Sequence, residues 1–226
     1  DLSPSQLLNS TGTTEGLLLL RDRPDLGERA ASRKISGGIS CDGRHATSFA
    51  SIPTAGAMFA FLQNLLGLSA ERLAECIGDL SARYGRGQID VDRVPVVVPH
   101  LRGSPPPEKD SSARGAIAGL DVDTGSDDLI FGCFLAMAAD MRRVLDLFGS
   151  VPSEFKVIGP ASANPLWLHL KADILGHDIS VSAFPEMVSL GAQALASGER
   201  SEWGAAKPWI VKADPTRHRI LSEWFD

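Results

Sequence analysis

Phe155-Lys-Val-Ile158 runs straight into Gly159-Pro-Ala-Ser-Ala-Asn-Pro-Leu-Trp167, which continues as Leu168-His-Leu-Lys-Ala-Asp-Ile-Leu-Gly176. A short apolar run closed by Gly-Pro reads as a buried strand. The apolar residues from about Asn164 to Leu175 predict a helix that follows it at once. Strand, tight turn and helix in that order are a building unit of α/β folds. The small residues of the turn leave room for a flat ring, and Asn164 carries both a donor and an acceptor for a base edge.

The same theme opens the chain. Leu7-Leu8 and Leu17–Leu20 flank the polar stretch Asn9-Ser-Thr-Gly-Thr-Thr-Glu15, which predicts a β-hairpin. Its turn offers the amides of Gly12 and Thr13 and the threonine hydroxyls, several donors for a phosphate without a fixed positive charge. Residues 21–38 are charged and glycine-rich and read as an excursion. Phe49–Ile52 is a candidate strand. Ala55–Leu66 reads as a helix ended by Gly67, and Ser69–Tyr84 as a second helix capped by Ser69. The β-branched run Val94–Val98 predicts a buried strand. A Gly/Pro-rich loop, Arg102–Ala113, follows it, then a short extended piece, Gly115–Leu120. Asp127–Phe148 is the longest helical pattern. Ile179–Val181 is a further strand, Ser189–Ala196 a small-residue helix, and the tail from Gly198 carries Trp203, Trp209 and Trp224. Strands alternating with helices make the class α/β.

Composition narrows the function. The 226 residues carry a net charge of −6 and are 43% hydrophobic, which describes a globular chain and excludes a basic footprint for nucleic acid or anionic membrane. The apolar run Leu17–Leu20 is too short to span a bilayer. Cys41, Cys76 and Cys133 form no CxxC pair and no disulfide framework, which points to a reducing, cytoplasmic setting. The five histidines lack zinc-ligand spacing, and His169 and His177 read as ordinary surface or supporting residues. Cys41, Asp42 and His45 read as neighbours in a glycine-rich loop rather than a nucleophile site. Asp121, Asp123, Asp127 and Asp128 read as carboxylates favoured at a helix N-terminus rather than a metal site.

The order of the pieces is more telling than any one of them. A TGTT hairpin is followed by Ala55-Gly-Ala-Met-Phe-Ala-Phe-Leu62 opening a helix, then by Val98-Pro-His-Leu-Arg-Gly103 and Ala113-Arg-Gly-Ala-Ile-Ala-Gly-Leu120. Asn164-Pro-Leu-Trp167, Ala172-Asp-Ile-Leu-Gly176 and Ser189-Leu-Gly-Ala192 complete it. From about Leu7 to Leu195 this order resembles the C-terminal lobe of the FGGY carbohydrate kinases. The resemblance implies an actin-like, ribonuclease-H-like ATPase lobe with a mixed sheet flanked by helices. It implies one domain over 1–226, with residues 198–226 as a tail packing on the lobe. The activity implied is transfer of the γ-phosphoryl group of ATP, with Mg²⁺, to a sugar or polyol hydroxyl.

Carried over position by position, Gly12 and Thr13 contact the ATP phosphates with Thr14 close by. Gly56 lies near the phosphates or ribose. Gly159 and Pro160 open the adenosine turn, and Asn164 lies on the base. The resemblance places the catalytic aspartate upstream of the TGTT hairpin, so Asp1 reads as a boundary within a longer chain. No catalytic residue and no metal ligand is assigned within 1–226, and the sugar is expected mainly on the other lobe. Three positions depart from the family pattern: Pro160 replaces a glycine, Ala60 stands where some relatives carry a polar side chain, and Gly103-Ser104-Pro105 replaces Gly-Glu-Arg. These departures keep an alternative open, a non-catalytic actin-like nucleotide-binding or regulatory module. The Trp-bearing tail packs either on its own lobe or against a partner, which leaves a homodimer open.

Overall fold

The computed structural model describes residues 2–184, 186–199 and 207–225. The expected hairpin is present: β1 (Gln6–Thr11) and β2 (Glu15–Arg21) pair antiparallel with Thr11 opposite Glu15. Alternation along β1 turns Leu7, Asn9 and Thr11 inward. The excursion contains two elements that its composition hid, a five-residue helix α1 (Glu28–Ser32) and an edge strand β3 (Ser36–Ile39) exposed at every position. A strand with no buried face has no apolar alternation to betray it. β4 (Ala46–Ile52) then pairs antiparallel with both β3 and β2.

Two helices follow as expected. α2 (Gly56–Leu66) stops at Gly67, which takes the left-handed conformation at φ 65° that an L side chain resists. α3 (Ala70–Gly85) starts at Ser69, whose hydroxyl accepts from the Arg72 amide at 3.2 Å.

The run Val94–Val98 departs from expectation. Only β5 (Val96–Val98) is a strand, and it pairs with β6 (Ala116–Ala118) in a separate two-stranded ribbon. Val96 is 54% and Val98 39% exposed, so the run is not a buried strand. Val94 turns inward, and the ribbon rests on the helix α4 (Ser126–Asp146), where a Cβ at Gly132 would lie 2.9 Å from the Pro95 carbonyl oxygen. A β-branched run satisfies an edge ribbon as well as a central strand, and composition alone does not separate them.

The second half contains β7 (Glu154–Ile158), α5 (Pro165–Leu175), β8 (Ile179–Val181), α6 (Met187–Ser197), β9 (Trp209–Val211) and α7 (Pro215–Phe225). Among the described residues seven strands form one mixed sheet, ordered β3-β4-β2-β1-β7-β8-β9. β1, β7 and β8 run parallel at its centre. The core lies between the sheet and α2–α5, where Met58, Phe131, Phe134, Leu166 and Trp167 are nearly inaccessible. Each such side chain contributes on the order of 2–3 kcal/mol of burial.

In the tail, β9 pairs with β8 and α7 packs on α5, with Leu221 fully buried. Asp173 of α5 anchors α7: its carboxylate accepts from Tyr84 Oη at 2.8 Å, Arg217 Nε at 2.6 Å and the Asp214 amide at 2.7 Å. Burial and the Asp173 carboxylate hold the Tyr84 phenol above its ordinary value. Trp203 lies outside the described residues.

Candidate functional site

β1 and β7 are parallel neighbours, with Ser10 beside Ile158 as the last matched pair. Their C-terminal ends therefore open into two turns at the same edge of the sheet. In α/β folds the crevice beyond the carboxyl ends of parallel strands is where ligands bind. The hairpin turn 12–14 leaves β1, and the turn 159–164 leaves β7 and leads into α5.

Backbone packs on backbone here. The Gly56 amide donates to the Gly12 carbonyl at 3.0 Å, which fastens the first turn of α2 to the hairpin turn. A Cβ at Gly56 would lie 2.9 Å from that oxygen, so the approach requires glycine. Gly159 has φ +102°, and a Cβ there would come within 2.9 Å of the Thr11 carbonyl carbon. The Thr11 hydroxyl closes the junction by donating to the Ile158 carbonyl at 2.9 Å. The structure thus brings Gly12, Gly56 and Gly159 to one place. Thr13 and Thr14 are exposed at its rim.

Pro160 is exposed and opens a 3-10 turn, Pro160–Ala163. The first position of a helical turn needs no N–H, so proline fits. Asn164 caps α5: its Oδ1 accepts from the Trp167 amide at 3.0 Å. The expectation that Asn164 presents a donor and an acceptor to a ligand is thereby narrowed, because the acceptor serves the cap. Its Nδ2 is buried and has no partner among the described residues. Thr54, two residues before Gly56, is likewise buried with its Oγ1 unpartnered, and nothing in the sequence singled it out.

A buried polar network beneath the crevice was also missed. Lys171 Nζ donates to Glu15 Oε1 at 2.5 Å and to Asn9 Oδ1 at 2.7 Å, and Asn9 Nδ2 donates to Glu15 Oε1 at 2.8 Å. Burial pushes the Lys171 amine below its ordinary value, and the Glu15 carboxylate draws it back. Nearby, Asp140 on α4 has His100 Nε2 at 3.3 Å and Arg143 Nη1 at 3.4 Å. Burial raises its carboxyl above the ordinary value, and the neighbouring His100 and Arg143 oppose that. A glutamate after TGTT and a lysine inside the apolar helix 165–175 were the only traces in the sequence.

The other candidates have structural work. Asp42 accepts from the Ser40 hydroxyl and the Arg44 amide, and exposed Cys41 sits in the same turn. Asp121 accepts from Thr124, Asp127 pairs with Arg83 at 2.7 Å, and Asp128 accepts from the Gly125 amide. His169 meets Ser81, and His177 leans on Phe155. Among the described residues no group of three or more His, Cys, Asp or Glu is placed to hold a metal. No described helix is long and apolar enough to cross a membrane.

The C-terminal-domain model of the FGGY family of carbohydrate kinases matches residues 7–198. A glycerol kinase of Aromatoleum aromaticum is 32% identical over 189 residues, covering 77% of this chain and 37% of that enzyme. One from Desulfitobacterium hafniense is 30% identical over 171 residues, covering 74% and 33%. The chain thus spans about a third of the length of these two relatives. Among solved structures, the xylulose kinase of Rhodospirillum rubrum superposes with a TM-score of 0.80 at 17% identity, over 99% of this chain and 46% of that one. The Plasmodium falciparum glycerol kinase with ADP gives 0.76 at 17% identity, over 98% and 46%. At these identities the likeness establishes the fold, a mixed-sheet α/β lobe of the actin-like ATPase kind.

Proposed function

The chain belongs to the FGGY family of carbohydrate kinases, whose C-terminal domain it contains, and from that premise we propose that its crevice binds ATP for phosphoryl transfer to a sugar or polyol hydroxyl. The observation that carries the reading is the buried, unpartnered Nδ2 of Asn164 one turn beyond the glycine junction. An unpaired buried donor is costly, and a ligand acceptor beside it repays that cost. Glycines that exclude a Cβ let a flat ligand approach the backbone.

In this reading the turn Gly12–Thr14 faces the phosphates and the α2 N-terminus adds its positive end. Asn164 Nδ2 donates to the base, and the 3-10 turn after Gly159 borders the adenosine. ATP with Mg²⁺ supplies the phosphoryl group and neutralises charge developing on it. An ion carried largely by phosphates and water needs no protein cage. The acceptor sugar and the carboxylate that deprotonates it are assigned outside residues 1–226. A cytoplasmic setting suits this chemistry.

Pro160 favours a second reading. It removes an N–H from the adenosine turn, as a nucleotide-binding module without transfer activity would tolerate. Calorimetric titration with Mg·ADP tests the shared part. The chain is expected to bind one equivalent. Asn164→Ser, which keeps a capping oxygen, is expected to weaken binding by about 3–10-fold, the worth of one neutral hydrogen bond. No binding by the parent contradicts both readings. Assay of the gene product against ketoses, aldoses and polyols then separates them.

A further inference from the structure

We propose that the buried Glu15–Lys171 pair is a strut that sets the distance between the two halves of the crevice, making both positioning residues for a ligand that spans them. The proposal rests on the nucleotide reading above. Glu15 directly follows Thr14 and begins β2, so it is the inner footing of the hairpin turn. Lys171 sits on α5 about two turns beyond Asn164, at 3.6 residues per turn. Its Nζ reaches Glu15 Oε1 and Asn9 Oδ1 on the hairpin side. On the helix side it lies 3.8 Å from the centroid of the Trp167 ring, and the Trp167 amide donates to Asn164 Oδ1. A continuous chain of contacts thus runs from the hairpin turn to the α5 cap.

Stability does not explain the pair. Glu15 is 0% and Lys171 1% exposed, and Lys171 sits among Leu166, Trp167, Leu168, Leu170 and Ile174 of the same helix, all buried. A buried ion pair is often no more stabilising than apolar residues of the same volume. This one is also incomplete, because Glu15 Oε2 is buried without a partner among the described residues. What the pair provides is direction: short charged bonds hold α5 at one angle to the hairpin, where apolar packing tolerates sliding. The Thr11–Gly159 junction pins the strand ends but does not reach the body of the helix.

Removing only Lys171 leaves Glu15 uncompensated and invites unfolding. The test is therefore the double variant Glu15→Gln/Lys171→Met, which cuts the tie to α5 without burying a lone charge. Its urea midpoint is compared with the parent. Dissociation constants are measured for Mg·ADP, for adenosine and for inorganic tripolyphosphate. The strut predicts a folded double variant with Mg·ADP weakened about tenfold and each half-ligand changed less than about twofold, since only the spanning ligand uses the preset spacing. Unchanged Mg·ADP affinity in the folded double variant overturns the proposal. So does a tenfold loss for adenosine or tripolyphosphate alone, which locates the effect in one half. Failure of the parent to bind Mg·ADP overturns the nucleotide reading, and the strut with it.

Discussion

Gly159→Ala puts a methyl group where two strands meet. The Cβ would lie within 2.9 Å of the Thr11 carbonyl carbon and 3.1 Å of its amide nitrogen, both backbone atoms that no rotamer change can move aside. A φ of +102° adds strain for any L side chain. Overpacking of this kind costs about 1–3 kcal/mol and the backbone conformation about 1–3 kcal/mol. About 0.5–1 kcal/mol returns through the stiffer unfolded chain. The net loss is roughly 3 kcal/mol, or about 6–12 °C in Tm for a chain of this size. Urea unfolding followed by tryptophan fluorescence measures it, since Trp167 is buried in the core nearby. Gly78→Ala is the control: it lies within α3 with nothing within 4 Å of its Cβ, and a gain of roughly 0.5–1 kcal/mol is expected. Parent-like stability in Gly159→Ala would refute the backbone contact that joins β1 to β7 and, with it, the geometry of the crevice.

Asp173→Ala leaves Tyr84 and Arg217 without their buried acceptor, so a loss of about 3–5 kcal/mol is expected, with cleavage within α7 as the first product of limited proteolysis. Asp140→Asn tests the buried acid by pH. A folded pKa raised by burial means that the stability linked to this carboxyl is fully present below about pH 4, its ordinary value, and is lost as pH rises through the folded value. The parent should therefore lose stability relative to Asp140→Asn as pH rises above about 4 in urea titrations, and a constant difference contradicts the assignment.

The local units were legible because each carries its own punctuation. Ser69 and Gly67 bound helices, the glycine turns at 12 and 159 separate apolar runs, and the long helical pattern from Asp127 contains nearly all of α4. What stayed hidden depends on partners distant in the chain. β3 exists only because β4 lies beside it, and Val96–Val98 is an exposed ribbon because its partner is β6 rather than the central sheet. Gly12, Gly56 and Gly159 could be picked out singly, whereas their convergence required the parallel pairing of β1 with β7. The Glu15–Lys171 contact joins residues 156 positions apart, and no local pattern records it.

The most direct test of the nucleotide crevice is hydrogen exchange of the chain with and without saturating Mg·ADP. Slowed exchange is expected in two segments remote in sequence, Thr11–Thr14 together with the first turn of α2, and Ser162–Leu168 at the start of α5. Slowing confined to one segment, or found only away from this edge of the sheet, would contradict the account.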